Sequence, residues 1–280
     1  MLAFRLNSAE MAESGLICGG NVEILVEPLD AGCLPVVRGI VETQRSKGQA
    51  LLATTVPADG TPGGPEAFKV LLTPDGQAVG SGAEAAPVDA LRAEWKKLPP
   101  AATRVIARED SEKGARLLLE SVAAPATLVV FGAGHLSGEI VPLAKRVHFH
   151  VTVVDDRPVF ADPERFPEAD EVLVCEFEEA FDRLTIDDNS FVVIVTRGHL
   201  HDRLCLEKSL QTGAAYIGMV GSRAKIKTTY EALEAQGASR ERLQQVHSPI
   251  GLFIHARLPE EIAVSIVAEL IEVRNSRLFG

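Results

Sequence analysis

The residues of this chain best suited to chemistry lie in its second half, on short loops that follow apolar runs. Phe131-Gly-Ala-Gly-His-Leu-Ser-Gly138 opens a stretch with helical spacing. In such a loop Gly132 permits a tight turn, Gly134 lets the backbone approach a pyrophosphate, and Gly138 allows close helix–strand packing. Free amides at the helix start then face the anion. The third glycine comes one residue later than in the commonest dinucleotide fingerprint. The next apolar run ends at Val154-Asp-Asp156, roughly 20 residues on, where an acid hydrogen-bonds a ribose diol. Asp155 is assigned that task, with Asp156 beside it. Gly218-Met-Val-Gly-Ser-Arg-Ala-Lys225 is a second anion-binding candidate, carried by Gly221, Ser222 and Arg223. Ser222 is a natural N-cap, and Arg223 and Lys225 bring positive charge to that helix start; a routine capped helix with two solvated cations is the competing reading.

All seven histidines fall in the second half. His135 sits inside the glycine loop, and Thr196-Arg-Gly-His-Leu-His-Asp202 brings His199, His201 and Asp202 to the end of another apolar run. In a parallel sheet such loops share the carboxyl edge, where ligands bind, so His135 and His199 are expected to converge on one ligand. His247-Ser-Pro-Ile-Gly-Leu252 reads either as a loop that closes over the cleft or as a structural turn. The histidine spacing matches no standard zinc motif. There is no Tyr-x-x-x-Lys pair, Walker loop or H-E-x-x-H. A binding cleft is easier to see than a catalytic constellation.

The elements that position these loops are legible in the spacing. Apolar runs of strand length recur at 127–131, 151–154, 171–175, 191–196 and 214–218, with helical stretches at 138–147 and 202–212. Near-continuous Val, Ile and Leu runs are expected of strands covered on both faces, and their alternation with helices implies a doubly wound parallel sheet of Rossmann type. The last segment opens Leu258-Pro-Glu-Glu-Ile262, a helix start by its proline and acids. Ile262, Ala263, Ile266, Val267, Leu270 and Ile271 form its apolar stripe, facing the sheet or another protomer. The first half has a different texture. Strands are expected at 22–26, 49–56, 68–73 and 77–80, with a tight turn at Pro74-Asp-Gly76, giving a smaller α+β domain. Ser121 to Ala126 is small and weakly structured. It separates a domain at 1–121 from one at 127–280, making the chain α/β as a whole.

Composition narrows the setting. With 28 Lys and Arg against 39 Asp and Glu, the net charge is −11, which argues against a nucleic-acid-binding surface. No apolar run is long enough to span a bilayer, and the protein is expected in the cytoplasm. The four cysteines form no C-x-x-C pair and are expected reduced, most of them filling apolar space.

Taken in order, several segments resemble the XdhC/CoxI family of xanthine dehydrogenase accessory proteins. They are Phe131 to His135, Val151 to Arg157, Phe160 to Pro167, Thr196 to Asp202, Tyr216 to Arg223, Ser248 to Leu252 and Pro259 to Ile266. The resemblance implies a protein that binds molybdenum cofactor, as molybdopterin or its dinucleotide form, and delivers it to a molybdenum hydroxylase. It further implies a homo-oligomer and a sulfurating partner of the cysteine-desulfurase type. Gly15-Leu-Ile-Cys-Gly-Gly-Asn-Val-Glu23 looks like the family's Cys-Gly-Gly segment, which makes Cys18 the molybdenum contact by resemblance. A soft thiolate suits that metal; a small buried cysteine beside a turn is the alternative. The glycine-rich segments that usually come before this point are absent, so either a naturally shortened member of the family or a truncated gene model is expected. His255 and Leu258 stand where glycine and threonine are expected.

Three readings remain open: a pterin-binding maturation factor, more a chaperone than a catalyst; an NAD(P)-dependent oxidoreductase; and a nucleotide-sensing regulator without turnover. The glycine loop and Asp155 serve the first two equally. The missing proton-transfer pair and the Cys-Gly-Gly segment favour the first.

Overall fold

A computed structural model describes residues 2–6, 20–28, 30–46, 48–56, 67–98, 103–107 and 115–279. The chain divides into two units, Met1–Ala124 and Pro125–Gly280.

In the first unit β1 (Leu2–Leu6) and β2 (Gly20–Ile24) form an antiparallel pair. Helix α1 (Leu34–Arg45) precedes β3 (Gln49–Val56), β4 (Lys69–Leu72) and β5 (Ala78–Ser81). Helix α2 (Val88–Trp95), β6 (Thr103–Ala107) and β7 (Arg116–Ala123) complete the unit. The second sheet is antiparallel, in the order β5-β4-β3-β7-β6. Alternate residues of β3 enter different clusters: Leu51 and Ala53 pack with Leu91 of α2, Ala50 and Leu52 with Val36 of α1. The 121–126 segment is not the loose connector its small residues suggest. Ser121, Val122 and Ala123 pair with Leu51, Ala50 and Gln49, because β3 offers a ladder along the full length of β7.

The second unit runs β8 (Thr127–Phe131), α3 (His135–Arg146), β9 (His150–Asp155), β10 (Glu171–Val174) and α4 (Phe177–Arg183). It continues through β11 (Ser190–Ile194), α5 (His199–Leu210), β12 (Tyr216–Met219), α6 (Arg223–Ala235), α7 (Arg240–Gln244) and α8 (Pro259–Phe279). All five strands are parallel, in the order β10-β9-β8-β11-β12, and His247 adds a single parallel bridge beside Gly218. Every residue of β8 and β11 is buried, as their apolar runs require. Period-two alternation sends Leu128, Val130 and Val193 to one face, against Ile140 of α3 and Ala263, Ile266 and Leu270 of α8. Val129, Phe131 and Ile194 go to the other face, against Leu206 of α5 and Ile226 and Leu233 of α6. The apolar stripe of α8 is thus core. Cys175 and Cys205 are buried free thiols, as their apolar settings suggest, and burial raises the pKa of both. Among the described residues, no helix is long and apolar enough to cross a membrane.

The chain runs from β8 outward to β9 and β10, then returns to place β11 on the other side of β8. The strand order therefore reverses at β8, and a parallel sheet opens its ligand crevice at the carboxyl ends of the strands around such a reversal.

Candidate functional site

The glycine loop occupies that reversal. Gly132 has φ +108°, and a Cβ built there would lie 2.6 Å from the Val195 carbonyl oxygen and 2.9 Å from Thr196 Cα. Only glycine fits, because the loop is pressed against the chain leaving β11. Two residues later Gly134 caps α3 with extended backbone and no side-chain capping bond. Among the described residues nothing lies within 4 Å of a Cβ built on it, so the space over the helix start is open. The first turn of α3 carries no acidic residue. Its amides are the unsatisfied donors that a helix offers to an anion.

Gly138 does not perform the expected packing. A Cβ built there meets nothing within 4 Å, whereas Ser137 is fully buried and its hydroxyl donates to the Gly132 carbonyl. The helix–strand contact falls at the regular third position of the fingerprint, which here holds serine. The apparent one-residue delay comes from counting the wrong residue.

Asp155 is also not free to read a ribose. Its side chain is 1% exposed, and its two oxygens accept four hydrogen bonds. Oδ2 takes the Ala133 N–H at 2.8 Å and Arg157 Nη2 at 2.9 Å; Oδ1 takes Arg157 Nε at 2.8 Å and the Arg157 N–H at 3.1 Å. A carboxylate has about four acceptor positions, and all are used. Burial opposes the charge, but the Arg157 guanidinium and the two amides overcome it and draw the pKa down to about 2. Asp155 therefore pins the glycine loop to the end of β9. Arg165 holds the loop from its other side, donating from Nη1 to the carbonyls of Ala133 (3.2 Å) and Phe160 (2.8 Å). Arg157 lies over the Phe160 ring, 3.6 Å from its centroid. Arg157 was legible in part, since an aspartate at a strand end commonly accepts the N–H two residues on and so turns the chain there.

Asp156 faces a different partner. Its Oδ2 accepts from Arg197 Nη2 at 2.6 Å, across from the loop after β11. Among the described residues its Oδ1 is buried and takes no hydrogen bond.

On the β11 side, Asp202 is buried and engaged. Thr196 Oγ1 donates to its Oδ1 at 2.6 Å, and Lys225 Nζ pairs with its Oδ2. It staples the start of α5 to the start of α6 and has no face left for a ligand. His199 is exposed at the first residue of α5, as His135 is at the first residue of α3. Both stand on the carboxyl edge, as expected. Ser222 caps α6, its Oγ accepting the Lys225 N–H at 3.3 Å, and Arg223 is exposed beside it. Gly221 leaves only 3.3 Å between a built Cβ and Ile226, a packing contact rather than a ligand cradle. A cleft of about 430 Å³ lies between α5 and α6, lined among others by His199, Leu200, Arg203, Ser222, Lys225 and Thr228. Its lining cations are Arg203 and Lys225, the second already paired with Asp202.

One buried network escaped the sequence. Glu269 of α8 accepts from the Tyr216 hydroxyl at 2.5 Å and from the Gly251 N–H at 3.0 Å, and lies 3.2 Å from His247 Nδ1. Burial and the adjacent carboxylate push the Tyr216 phenol far up. Burial opposes ionisation of Glu269, but these three partners hold its pKa below the usual range. The 247–252 segment is therefore anchored to α8 and is the structural turn of the two readings. An acid flanked by Val267, Ala268, Leu270 and Ile271 in the middle of α8 was the available signal. Cys18 lies outside the described residues. Among those residues no group of three His, Cys, Asp or Glu is placed to hold a metal ion.

A parallel sheet wound on both faces, with a glycine loop and an open helix start at its reversal point, defines a Rossmann-type domain. Within that class, residues 128–270 match the family model described as the XdhC Rossmann domain, and the chain belongs to that family. This agrees with the resemblance carried by the motifs. The chain is 34% identical over 150 residues to the uncharacterized protein YqeB of Escherichia coli, covering 53% of this chain and 27% of that protein. It is 29% identical over 158 residues to a Bacillus subtilis protein described as a probable xanthine dehydrogenase subunit (56% and 46%). It is 28% identical over 89 residues to the molybdenum cofactor insertion chaperone PaoD of Escherichia coli (32% and 28%). The chain thus spans only about a quarter to a half of the length of these curated relatives. Its fold is similar to a Bacillus halodurans crystal structure described as a xanthine dehydrogenase, with a TM-score of 0.76 at 24% identity, covering 99% of this chain and 75% of that one.

Proposed function

We propose that this chain is a maturation factor that binds molybdenum cofactor and hands it to a molybdenum hydroxylase of the xanthine dehydrogenase type. The observation that carries the reading is the prebuilt, uncapped α3 start at Gly134, open to an anionic ligand, within a domain of the XdhC family. Two relatives, one named for molybdenum cofactor insertion and one for xanthine dehydrogenase, supply the cargo and the recipient. The cofactor is cargo here. Its phosphate end fits the amides at Gly134 and the space above them, with His135 and His199 along the same edge. Cys18 is assigned to the molybdenum end by resemblance. Self-association and a sulfurating partner of the cysteine-desulfurase type belong to the same proposal.

The saturation of Asp155 weighs against an NAD-dependent dehydrogenase, because the residue that should hold the ribose diol has no acceptor left. No described proton-transfer pair stands at the open loop. What the site does well is hold an anion in a fixed place and release it to a partner.

Titrating the purified chain with molybdenum cofactor and, separately, with NAD(H) tests this. Cofactor binding is expected, and Gly134→Val, whose side chain fills the open space, is expected to abolish it while leaving the circular dichroism spectrum unchanged. Binding of NAD(H) without the pterin would overturn the proposal.

A further inference from the structure

The Arg197–Asp156 ion pair has a position that neither residue shows alone. Asp156 directly follows β9, Arg197 lies on the loop after β11, and β8 runs between those two strands. The pair therefore spans two inter-strand spacings, about 10 Å, across the carboxyl end of β8 where the glycine loop begins. It is a charged strap over the mouth of the crevice.

The strap is asymmetric. The Arg197 side chain is 45% exposed, and among the described residues its guanidinium has no hydrogen bond except to Asp156. A guanidinium carries five N–H donors in a planar fork suited to phosphate oxygens. Asp156 is 12% exposed, and among the described residues one of its oxygens is buried without a hydrogen bond. Arg157 Nε lies 3.9 Å from Oδ1, but its hydrogen bond goes to Asp155, so it offers Asp156 only a through-space attraction. The resting arrangement thus leaves Asp156 half satisfied and most of Arg197 unused.

We infer that Arg197 is the exchangeable anion ligand of this site: a phosphate or pyrophosphate arriving over the glycine loop takes Arg197 from Asp156, which keeps only the through-space attraction of Arg157. The inference rests on the reading of the loop as a phosphate-binding site. It adds a ligand that the glycine pattern does not contain and a selectivity rule. With Asp156 holding Arg197 the charge of that arginine is compensated, so only an anion that outcompetes a carboxylate recruits it. Release follows the reverse path, because Asp156 stays beside Arg197 as a built-in competitor. That suits a protein whose cargo must leave again.

Calorimetric titration of the full chain with inorganic pyrophosphate tests the strap, using wild type, Asp156→Asn, Arg197→Gln and the double variant. Removing the competitor in Asp156→Asn should tighten binding, up to about fivefold, the upper range for a partly exposed ion pair. Arg197→Gln should weaken it by about tenfold or more, the loss of charge-assisted hydrogen bonds. In the double variant Asp156→Asn should bring no gain over Arg197→Gln alone, since its effect acts only through Arg197. Circular dichroism and thermal midpoints confirm that each variant is folded. Pyrophosphate binding that Asp156→Asn leaves unchanged or weakens, or that Asp156→Asn improves equally without Arg197, overturns the inference. The same panel titrated with molybdenum cofactor separates the two proposals. Cofactor binding insensitive to both residues leaves the maturation reading intact and removes the strap. A wild-type chain that binds neither ligand removes both.

Discussion

Replacing Asp155 by asparagine keeps the shape of the side chain and removes the charge that holds the glycine loop. In the folded chain its pKa is about 2, against an ordinary value of 3.8. At 1.36 kcal/mol per unit, that shift stabilises the fold by about 2 kcal/mol at neutral pH. The sign follows from the direction. A carboxyl whose folded pKa is depressed stabilises in full above its unfolded pKa, and loses that stabilisation as pH falls from about 5 through 2. Asparagine also leaves the Arg157 guanidinium, 27% exposed, without its counter-charge. The total cost at pH 7 should therefore be about 2–4 kcal/mol. Urea denaturation of wild type and Asp155→Asn, followed by circular dichroism at pH 7, 5, 4 and 3, measures it. The gap between the two proteins should be constant from pH 7 to about 5 and should have narrowed by about 1 kcal/mol at pH 3. A gap that is large but flat down to pH 3 would refute the reasoning, because the loop would then depend on the shape of the side chain and not on its ionisation.

Gly132 and Gly138 should respond in opposite ways. Gly132→Ala forces a Cβ to 2.6 Å from the Val195 carbonyl oxygen at φ +108° and should cost about 3 kcal/mol or more, read as a lowered urea midpoint. Gly138→Ala meets nothing and should stabilise the chain by about 0.5–1 kcal/mol through helix propensity; a loss would restore the packing role that the fingerprint suggested. Ser137→Ala leaves the Gly132 carbonyl without that buried donor and should cost about 1–2 kcal/mol in the same assay. Tyr216→Phe removes one of three partners of Glu269 and should cost about 1–3 kcal/mol, whereas a neutral result would mean that Gly251 and His247 already satisfy the carboxylate.

Much of the second unit was legible because its strands are buried on both faces. A strand in that setting must be apolar at consecutive positions, so Thr127–Phe131 and Ser190–Ile194 announce themselves without any alternation to decipher. The first unit was less legible. Helix α2 is short and buries only Leu91, and α1 leaves Leu34, Val37 and Val41 exposed, so the apolar positions of neither mark a clear core face. Strand β7 ends in Ser121-Val-Ala123, residues with little to say alone, and owes its length to pairing along all of β3. Such a strand is set by its neighbour, which a local reading does not see.

The site divides along the same line. The backbone features were legible, because a turn at Gly132 and an open helix start at Gly134 impose local demands that show as residue types at fixed spacing. The carboxylates were not, because the same aspartate at a strand end serves a ligand if its oxygens are free and serves the fold if they are filled. Asp155, Asp156 and Asp202 read alike in the sequence, yet Asp155 is saturated by Arg157 and Ala133, and Asp202 is held by Thr196 and Lys225. Asp156 differs from both. Among the described residues neither its Oδ1 nor Oδ2 of Asp202 takes a hydrogen bond, but Arg157 Nε is 3.9 Å from the first, whereas Lys225 Nζ is in direct ion-pair contact with the second. Its Arg197 is also the most exposed of the cations paired to these aspartates. Ligand exchange needs a bond that is made at rest and can be surrendered. Of the three acids that could have read the ligand, only the one left half satisfied is in a position to give up its partner.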